Sequence, residues 1–138
     1  MSVRSICLRG AEVLVQRPAD DPDACYAFIG GALEFGELME ERLRQEYREE
    51  TGCNVVEAVY LFVVENRFRF DRALLHSVEH YFRVSLDSYD VQSSERQLTQ
   101  HWLPIGDLTC YDVRPRVVLD AIVSGAWQNV KHLIVPLE

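Results

Sequence analysis

The segment from Leu38 to Thr51 is rich in glutamate and is long enough to form one helix. Glu46, Glu49 and Glu50 stand at i, i+3 and i+4, so on a helix they share one flank. Glutamates near the end of a helix oppose its dipole, and adjacent like charges repel each other. A hard divalent cation, which takes oxygen ligands, would relieve that repulsion. The alternative, on charge pattern alone, is a solvated acidic face balanced by neighbouring arginines.

A fixed spacing separates these two interpretations. Gly31 is followed after five residues by Glu37, and after seven more by QEYREETGC, residues 45–53. This pattern resembles the Nudix box, which is Gly, five residues, Glu, seven residues, Arg-Glu, an apolar residue, any residue, Glu-Glu, any residue, Gly and an apolar residue. Every fixed position matches except one, because Gln45 stands where the family has arginine.

The resemblance implies a role for each acidic residue of the box. Glu49 and Glu50 are the leading metal ligands, and Glu46 is a ligand or the general base. Glu46 and Glu49 are therefore the expected catalytic residues. Glu37 helps through water or a second metal, and the carbonyl oxygen of Gly31 is a further ligand. The implied cofactor is Mg²⁺ or Mn²⁺, which neutralises phosphate oxygens and lowers the pKa of bound water.

The resemblance also implies an activity. Nudix hydrolases cleave a nucleoside diphosphate linked to another group, so we expect a pyrophosphohydrolase acting on a nucleotide, a nucleotide sugar or an ADP-ribose-like compound. A nucleotide-binding or sensing domain with little catalysis is the alternative. The full set of box glutamates favours the enzyme, whereas Gln45 removes a charge and favours the sensor. Arg42 or Arg48 can replace part of that charge, because both lie on the same helix.

Residues outside the box carry weaker expectations. Some family members take their base from a later loop, where Glu95 is the candidate here, ranked below the box glutamate. Arg17, Arg67, Phe68 and Trp102 are candidate substrate contacts. Each of them is also explained by an ordinary structural role, since arginines and aromatic residues commonly cover apolar surface.

Length and composition favour a single globular domain over residues 1–138. Hydrophobic residues make up 48% and charged residues 26%, which is typical of soluble proteins. The net charge of −8 argues against large nucleic acids as partners, while a bound metal would still allow small phosphate ligands. No apolar run has the length of a membrane span, so no membrane partner is expected. Four cysteines without a CxxC pair indicate reduced thiols and a cytoplasmic location.

The order of predicted elements extends the resemblance over most of the chain. Periodicity predicts strands at 3–8, 12–16, 25–29, 54–65, 74–86 and 99–103, and helices at 38–51 and 116–124. The sequence alone supports an α/β or α+β domain, and the resemblance implies an α/β/α sandwich with a mixed sheet between helices. Residues 66–72 are predicted to connect two strands, and residues 126–138 are not placed. These two segments offer surplus apolar surface, so we expect a homodimer.

A competing motif lies at His76 to His80, where HSVEH matches the inverted zinc-protease pattern. That chemistry needs both histidines on one face of a helix. The β-branched and aromatic flanks predict a strand instead, on which His76, Val78 and His80 point one way and Glu79 the other.

Overall fold

The computed structural model describes residues 1–93 and 97–137. Its strands are β1 (Ser2–Arg9), β2 (Glu12–Pro18), β3 (Tyr26–Ala27), β4 (Gly30–Ala32), β5 (Val55–Phe70), β6 (Ala73–Leu86), β7 (Leu98–Pro104), β8 (Val113–Arg114) and β9 (His132–Ile134). Its helices are α1 (Met39–Thr51) and α2 (Arg116–Ser124), with 3₁₀ turns at Ile105–Cys110 and Ala126–Gln128. In these described ranges no helix is long and apolar enough to cross a membrane.

The strands of the described residues form one mixed sheet in the order β8-β3-β2-β1-β6-β5-β9, with β4 on β1 and β7 on β2. β1 runs parallel to β6, whereas β5 and β6 form an antiparallel hairpin. The other edge of β1 is divided between β4, which pairs with its first residues, and β2, which pairs with its last. This division sets β4 directly beside β1 and leads the chain from β4 into α1.

The two helices cover opposite faces of the sheet. Val3 and Cys7 of β1 pack in the core cluster that contains Leu43 and Tyr47 of α1. Ile6 points to the other face, where it packs in the cluster that contains the buried side chains of α2. Because neighbouring side chains of a strand point to opposite faces, β1 joins both cores. The expected α/β/α sandwich with a mixed sheet between helices is confirmed.

The predicted helices and most predicted strands agree with the structure to within a few residues, but two segments differ. The strand predicted at 25–29 is interrupted, since β3 ends at Ala27 and β4 begins at Gly30. The connection predicted at 66–72 is wrong, because β5 continues to Phe70 and only Asp71 and Arg72 form the turn. Alternating arginine and phenylalanine leave both faces of this part of β5 exposed, so it lacks the apolar pattern of a buried strand.

The histidines of the HSVEH segment lie in β6, which confirms the strand prediction. His76 is exposed, while the phenolic oxygen of Tyr60 lies 2.9 Å from Nδ1 of His80. The Glu79 carboxylate points the other way, where it is buried and accepts a hydrogen bond of 3.0 Å from Asn66. The geometry of a helical zinc-protease motif is therefore not present here.

Candidate active site

The box helix α1 has defined ends. A carboxylate oxygen of Glu41 accepts a hydrogen bond of 3.0 Å from the backbone N–H of Leu38, which satisfies a donor that the first turn leaves unpaired. At the other end Gly52 adopts a left-handed conformation with φ of 72°, and its N–H donates to the carbonyl oxygen of Arg48. Glycine ends a helix in this way at little conformational cost. The helical part of the box therefore has a fixed start and a fixed end.

Tyr47 fastens this helix to the sheet. Its hydroxyl oxygen lies 2.6 Å from Oγ of Ser5 in β1, and Ser5 in turn donates to the carbonyl oxygen of Ile29 at 2.9 Å. Burial raises the pKa of Tyr47 well above its usual value, so the phenol stays neutral and keeps its proton. One chain of hydrogen bonds thus fixes α1, β1 and the residues just before β4 in relation to each other.

The two glycines of β4 allow close approach on both sides. A Cβ atom on Gly30 would collide with the backbone carbonyl of Val3 in β1. A Cβ atom on Gly31 would lie 2.8 Å from the carboxyl carbon of Glu46. The backbone of β4 therefore fits between β1 and the box helix, and the Glu46 carboxylate lies directly against Gly31.

Arg42 connects two of the box carboxylates. Its guanidinium donates two hydrogen bonds to Glu37, at 2.7 and 3.1 Å, and a third to Glu46 at 3.3 Å. The side chain is largely buried, with 9% of Arg42 exposed. Hydrogen bonds from Arg42 and from the backbone N–H of Glu34 lower the pKa of Glu37, so this carboxylate stays ionised. Glu37 and Glu46 thus share one cation supplied by the protein.

Gln45 and the last two box glutamates occupy the other end of the helix. The Gln45 amide donates a hydrogen bond of 2.8 Å to Oε1 of Glu49, four residues later. Glutamine therefore orients Glu49 at the position of the family's arginine, but it adds no charge. Glu49 is exposed, whereas Glu50 is only 5% exposed and faces the protein interior.

The donor set fits a hard divalent cation. Carboxylates at four positions and the carbonyl oxygen at Gly31 are the oxygen ligands that magnesium and manganese prefer. The contact between Gly31 and Glu46 brings a carboxylate to that backbone without a side chain in between. Among the residues that the structure describes, no three His, Cys, Asp or Glu side chains are arranged around a common point for a metal. Arg42 neutralises Glu37 and Glu46 in this conformation, so metal binding requires these side chains to turn.

A small cavity lies on the other face of the sheet, next to this site. It has a volume of 170 Å³ and includes aromatic walls from Phe28, Phe68 and Tyr81. Arg4 lines it and donates a hydrogen bond of 3.3 Å to the carbonyl oxygen of Phe28. Arg4 is the register partner of Gly30, the residue before Gly31 of the box, so one of the cavity's lining residues pairs with β4.

Comparison with known proteins identifies this arrangement. A family model described as NUDIX domain matches residues 1–122. The chain belongs to the Nudix family. No curated protein sequence matches it.

Solved structures share the Nudix fold at low sequence identity. A MutT structure from work on Aliivibrio salmonicida and Vibrio cholerae is 23% identical, with 90% of this chain and 96% of that chain covered and a TM-score of 0.67. The E. coli ORF135 protein is 22% identical, with 93% and 89% covered and a TM-score of 0.66. A MutT protein of Bacillus halodurans is 18% identical, with 96% and 85% covered and a TM-score of 0.70.

The weaker sequence candidates occupy different places in this Nudix domain. Phe68 lines the cavity, and Arg67 lies in the exposed part of β5 beyond it. Arg17 stacks over Tyr26 at 4.7 Å, and Trp102 packs under the guanidinium of another arginine, so neither lines the cavity. Glu95 lies outside the described residues.

Three residues that line the cavity are not among the site residues predicted from the sequence. Arg4 and Glu79 line the cavity together because β1 and β6 pair in parallel, across more than seventy positions of the chain. Arg114 reaches the same cavity from β8, which pairs with β3. No local pattern marks any of these residues, although a charged residue in a strand that also contributes to the core is a signal for a polar contact.

Proposed function

We propose that this Nudix domain hydrolyses a diphosphate linkage in a nucleoside diphosphate linked to another group, with Mg²⁺ or Mn²⁺ as cofactor. One observation carries this proposal. The box carboxylate of Glu46 lies against Gly31, and Arg4, which lines the cavity together with three aromatic residues, pairs with the preceding residue, Gly30. Carboxylates for a metal therefore lie one register position from a cation for phosphate and apolar walls for a base, which are on the other face of the sheet.

Each residue has a role in this proposal. Glu49 and Glu50 would hold the metal, with Glu37 and the carbonyl oxygen of Gly31 as further ligands. When bound, the ion would supply charge neutralisation and a lowered pKa for water. Glu46 accepts the proton of the attacking water, because its carboxylate lies against Gly31, next to the residue that pairs with Arg4 of the cavity.

The cavity residues bind the rest of the substrate. The Arg4 guanidinium is suited to phosphate oxygens, since it presents several donors in one plane. Phe68, which is 40% exposed, offers its ring to a base. Glu79 and Asn66, which are hydrogen-bonded to each other, give this wall a polar edge for the groups of a base or a sugar.

A nucleotide-binding domain with weak catalysis is the second candidate function. Arg42 forms ion pairs with Glu37 and Glu46. Gln45 stands where the family has arginine, so the charge of that arginine is missing from the box helix. If these contacts persist when a nucleotide binds, the metal is held poorly and the chain acts as a sensor. The distinction is one of rate, because the same cavity serves both functions.

The proposal also includes a cytoplasmic location and a single domain. All four cysteines are free thiols, which supports a reducing compartment such as the cytoplasm. The matched region, residues 1–122, covers both helices except the last residues of α2, which supports a single domain for the whole chain. Small nucleotides, rather than large nucleic acids, remain the proposed partners.

Incubation of the pure protein with a panel of nucleoside triphosphates, nucleotide sugars and ADP-ribose-like compounds tests the proposal. The panel is run with magnesium, with manganese and with chelator, and products are separated by chromatography. Metal-dependent turnover of at least one compound supports the enzyme. Metal-dependent binding without turnover supports the sensor, and neither outcome on any compound refutes both.

A further inference from the structure

A tyrosine stands at a box position that is apolar in the family pattern. The ring of this residue, Tyr47, is fully buried and packs in the core cluster that contains Leu43 of α1 and Val3 of β1. The ring thus fills the place of the apolar side chain, but the hydroxyl group is an addition that packing does not require. Because a buried hydroxyl group is costly without a hydrogen-bond partner, the partner that it has is informative.

The Tyr47 hydroxyl begins a directed pair of hydrogen bonds. Its oxygen lies 2.6 Å from Oγ of Ser5, and Oγ of Ser5 lies 2.9 Å from the carbonyl oxygen of Ile29. A carbonyl oxygen only accepts, so the single hydroxyl hydrogen of Ser5 goes to Ile29 and Tyr47 donates to Ser5. All three residues are at most 1% exposed. This hydroxyl relay, from Tyr47 through Ser5 to the Ile29 carbonyl, connects α1 to the backbone just before β4.

Ser5 lies where β1 changes its partner. The pairing of β1 with β4 ends at Arg4 and Gly30, and the pairing of β1 with β2 begins at Leu8. Ser5 and Ile29 are the next residues after the last β1–β4 pair, so they face each other at the point where the two segments separate. The Ser5 hydroxyl satisfies the buried Ile29 carbonyl there and keeps the start of β4 against β1.

The hydroxyl relay flanks the contact between the box helix and β4. Glu46 directly precedes Tyr47, and Gly31 follows Ile29 by two residues. An added Cβ atom on Gly31 would lie 2.8 Å from the carboxyl carbon of Glu46, so this contact leaves no spare room. Leu43 packs on the same face of the sheet through apolar contacts, which have no preferred direction. Hydrogen bonds require a defined distance and angle, so the relay is suited to fix the spacing of α1 and β4.

We infer that Ser5 and Tyr47 are positioning residues for the proposed hydrolysis, because their hydroxyl relay sets the separation between the Glu46 carboxylate and the backbone of Gly31. Both are buried between the box helix and the sheet, so they act through these groups and not on a substrate. A displacement of about 1 Å in a reacting group can cost roughly 100-fold in rate. The effect on catalysis rests on the proposed function, whereas the relay and its effect on β4 do not.

Tyr47→Phe removes one oxygen atom and keeps the buried ring. We expect a kcat roughly tenfold lower with an unchanged KM, because the residues that line the cavity are kept. The assay is made well below the melting temperature of the variant, where a loss of stability alone leaves kcat unchanged. Tyr111→Phe is the matched control and should keep wild-type kinetics, since Tyr111 packs on Tyr26, at 5.9 Å between ring centroids, in the core on the other face of the sheet.

Ser5→Ala interrupts the same relay in the middle. It also removes the hydroxyl group that the Ile29 carbonyl accepts from, so its loss of kcat should be at least that of Tyr47→Phe. The double variant should be no slower than Ser5→Ala, because both substitutions break one chain of hydrogen bonds. Additive losses would show that the two hydroxyl groups act separately, which would overturn the inference.

Hydrogen exchange of backbone amides in the metal-free protein gives a readout that needs no activity. In Tyr47→Phe the amides of β4 should exchange roughly tenfold faster, because β4 opens locally when the relay is lost. The amides of α2, which packs on the other face of the sheet, should exchange as in the wild type. Equal acceleration in β4 and α2 would show a general loss of stability and would also overturn the inference.

Failure of this inference can be told from failure of the proposed function. Turnover by the wild type, with the same kcat and the same β4 exchange in Tyr47→Phe, refutes the relay and leaves the hydrolase intact. Faster exchange in β4 alone, in a protein that cleaves nothing, refutes the hydrolase and leaves the relay as the contact that places β4.

Discussion

The Arg42 side chain connects two separate parts of the box. It joins Glu37, from the loop before α1, to Glu46 on the helix itself. Its position four residues before Glu46 made one of these contacts predictable, since such pairs are neighbours on a helix. The contact with Glu37 depends on how the loop folds back, and the spacing does not reveal it. A metal at the proposed site would therefore compete with an internal ion pair.

Arg42→Gln tests the strength of this ion pair in the metal-free protein. We expect a lower melting temperature, because three carboxylates near Arg42 lose their shared cation. Arg42 lowers the pKa of Glu37, so its contribution is present above the unfolded value, about 4.3, and is lost as pH falls through the lower folded value. The difference between wild type and variant should be largest near neutral pH and should shrink in acid. Thermal unfolding followed against pH gives the answer, and a difference that grows in acid contradicts this account.

Gln45 is the one departure from the box at the residue scale. Its hydrogen bond orients Glu49, but the cluster of Glu46, Glu49 and Glu50 lacks the charge that arginine would add. We expect modest activity with an alkaline optimum, and a roughly tenfold higher rate in Gln45→Arg, which corresponds to about 1.4 kcal/mol of transition-state stabilisation.

Turnover against pH at saturating metal compares Gln45→Arg with wild type. Arg44→Gln is the matched control, since it changes a neighbouring helix residue whose described contacts are an ion pair with Glu40 at 4.0 Å and a hydrogen bond to the backbone carbonyl of Val55, away from the box glutamates. A rate in Gln45→Arg that is unchanged or lower at every pH would show that the site is built around glutamine.

At the scale of elements, β4 decides whether the box can form. Its two glycines look alike in the sequence, but their neighbours differ: the Val3 backbone at Gly30 and the flexible Glu46 side chain at Gly31. Gly30→Ala should therefore destabilise the fold, whereas Gly31→Ala should keep it and displace the Glu46 carboxylate. We expect Gly31→Ala to lose turnover by roughly tenfold or more, about 1.4 kcal/mol.

Circular dichroism and turnover measured on both glycine variants distinguish these effects. Gly106→Ala is a control, because nothing lies within 4 Å of an added Cβ atom there. A Gly31→Ala protein that is fully active would mean that Glu46 does not need its place against β4.

The elements differ in how far they could be predicted, and the reason is physical. α1 was predictable because Leu43 and Tyr47 repeat at helical spacing and Gly52 ends the run. The end of β5 was not, because exposed arginines and phenylalanines alternate there without a buried face. In the part of the chain that the structure describes, β9 joins the sheet by pairing with β5, a contact between distant segments that leaves no local pattern. The cavity has the same origin, since Arg4 and Glu79 meet through such pairing.

At the scale of the whole molecule, the exposed end of the β5–β6 hairpin supports the expected homodimer. Phe70 and Leu74 are 68% and 53% exposed there, and Ile134 of β9 is 53% exposed. Apolar side chains in this number at one end of a molecule favour association. We predict a dimer at micromolar concentration that Leu74→Asp converts to a monomer, while Val123→Asp, at an exposed position of α2, has no such effect. Sedimentation velocity that shows only monomer for the wild type rules this out.

The central claim is that the box carboxylates carry diphosphate hydrolysis, and turnover of four proteins on one active substrate tests it most directly. The four are the wild type, Glu49→Gln, Glu50→Gln and the control Glu40→Gln, whose residue lies exposed at the start of α1. We predict that Glu40→Gln matches the wild type, and that the other two lose roughly 100-fold or more, about 2.7 kcal/mol, with unchanged circular dichroism. Wild-type rates in both Glu49→Gln and Glu50→Gln would contradict the account.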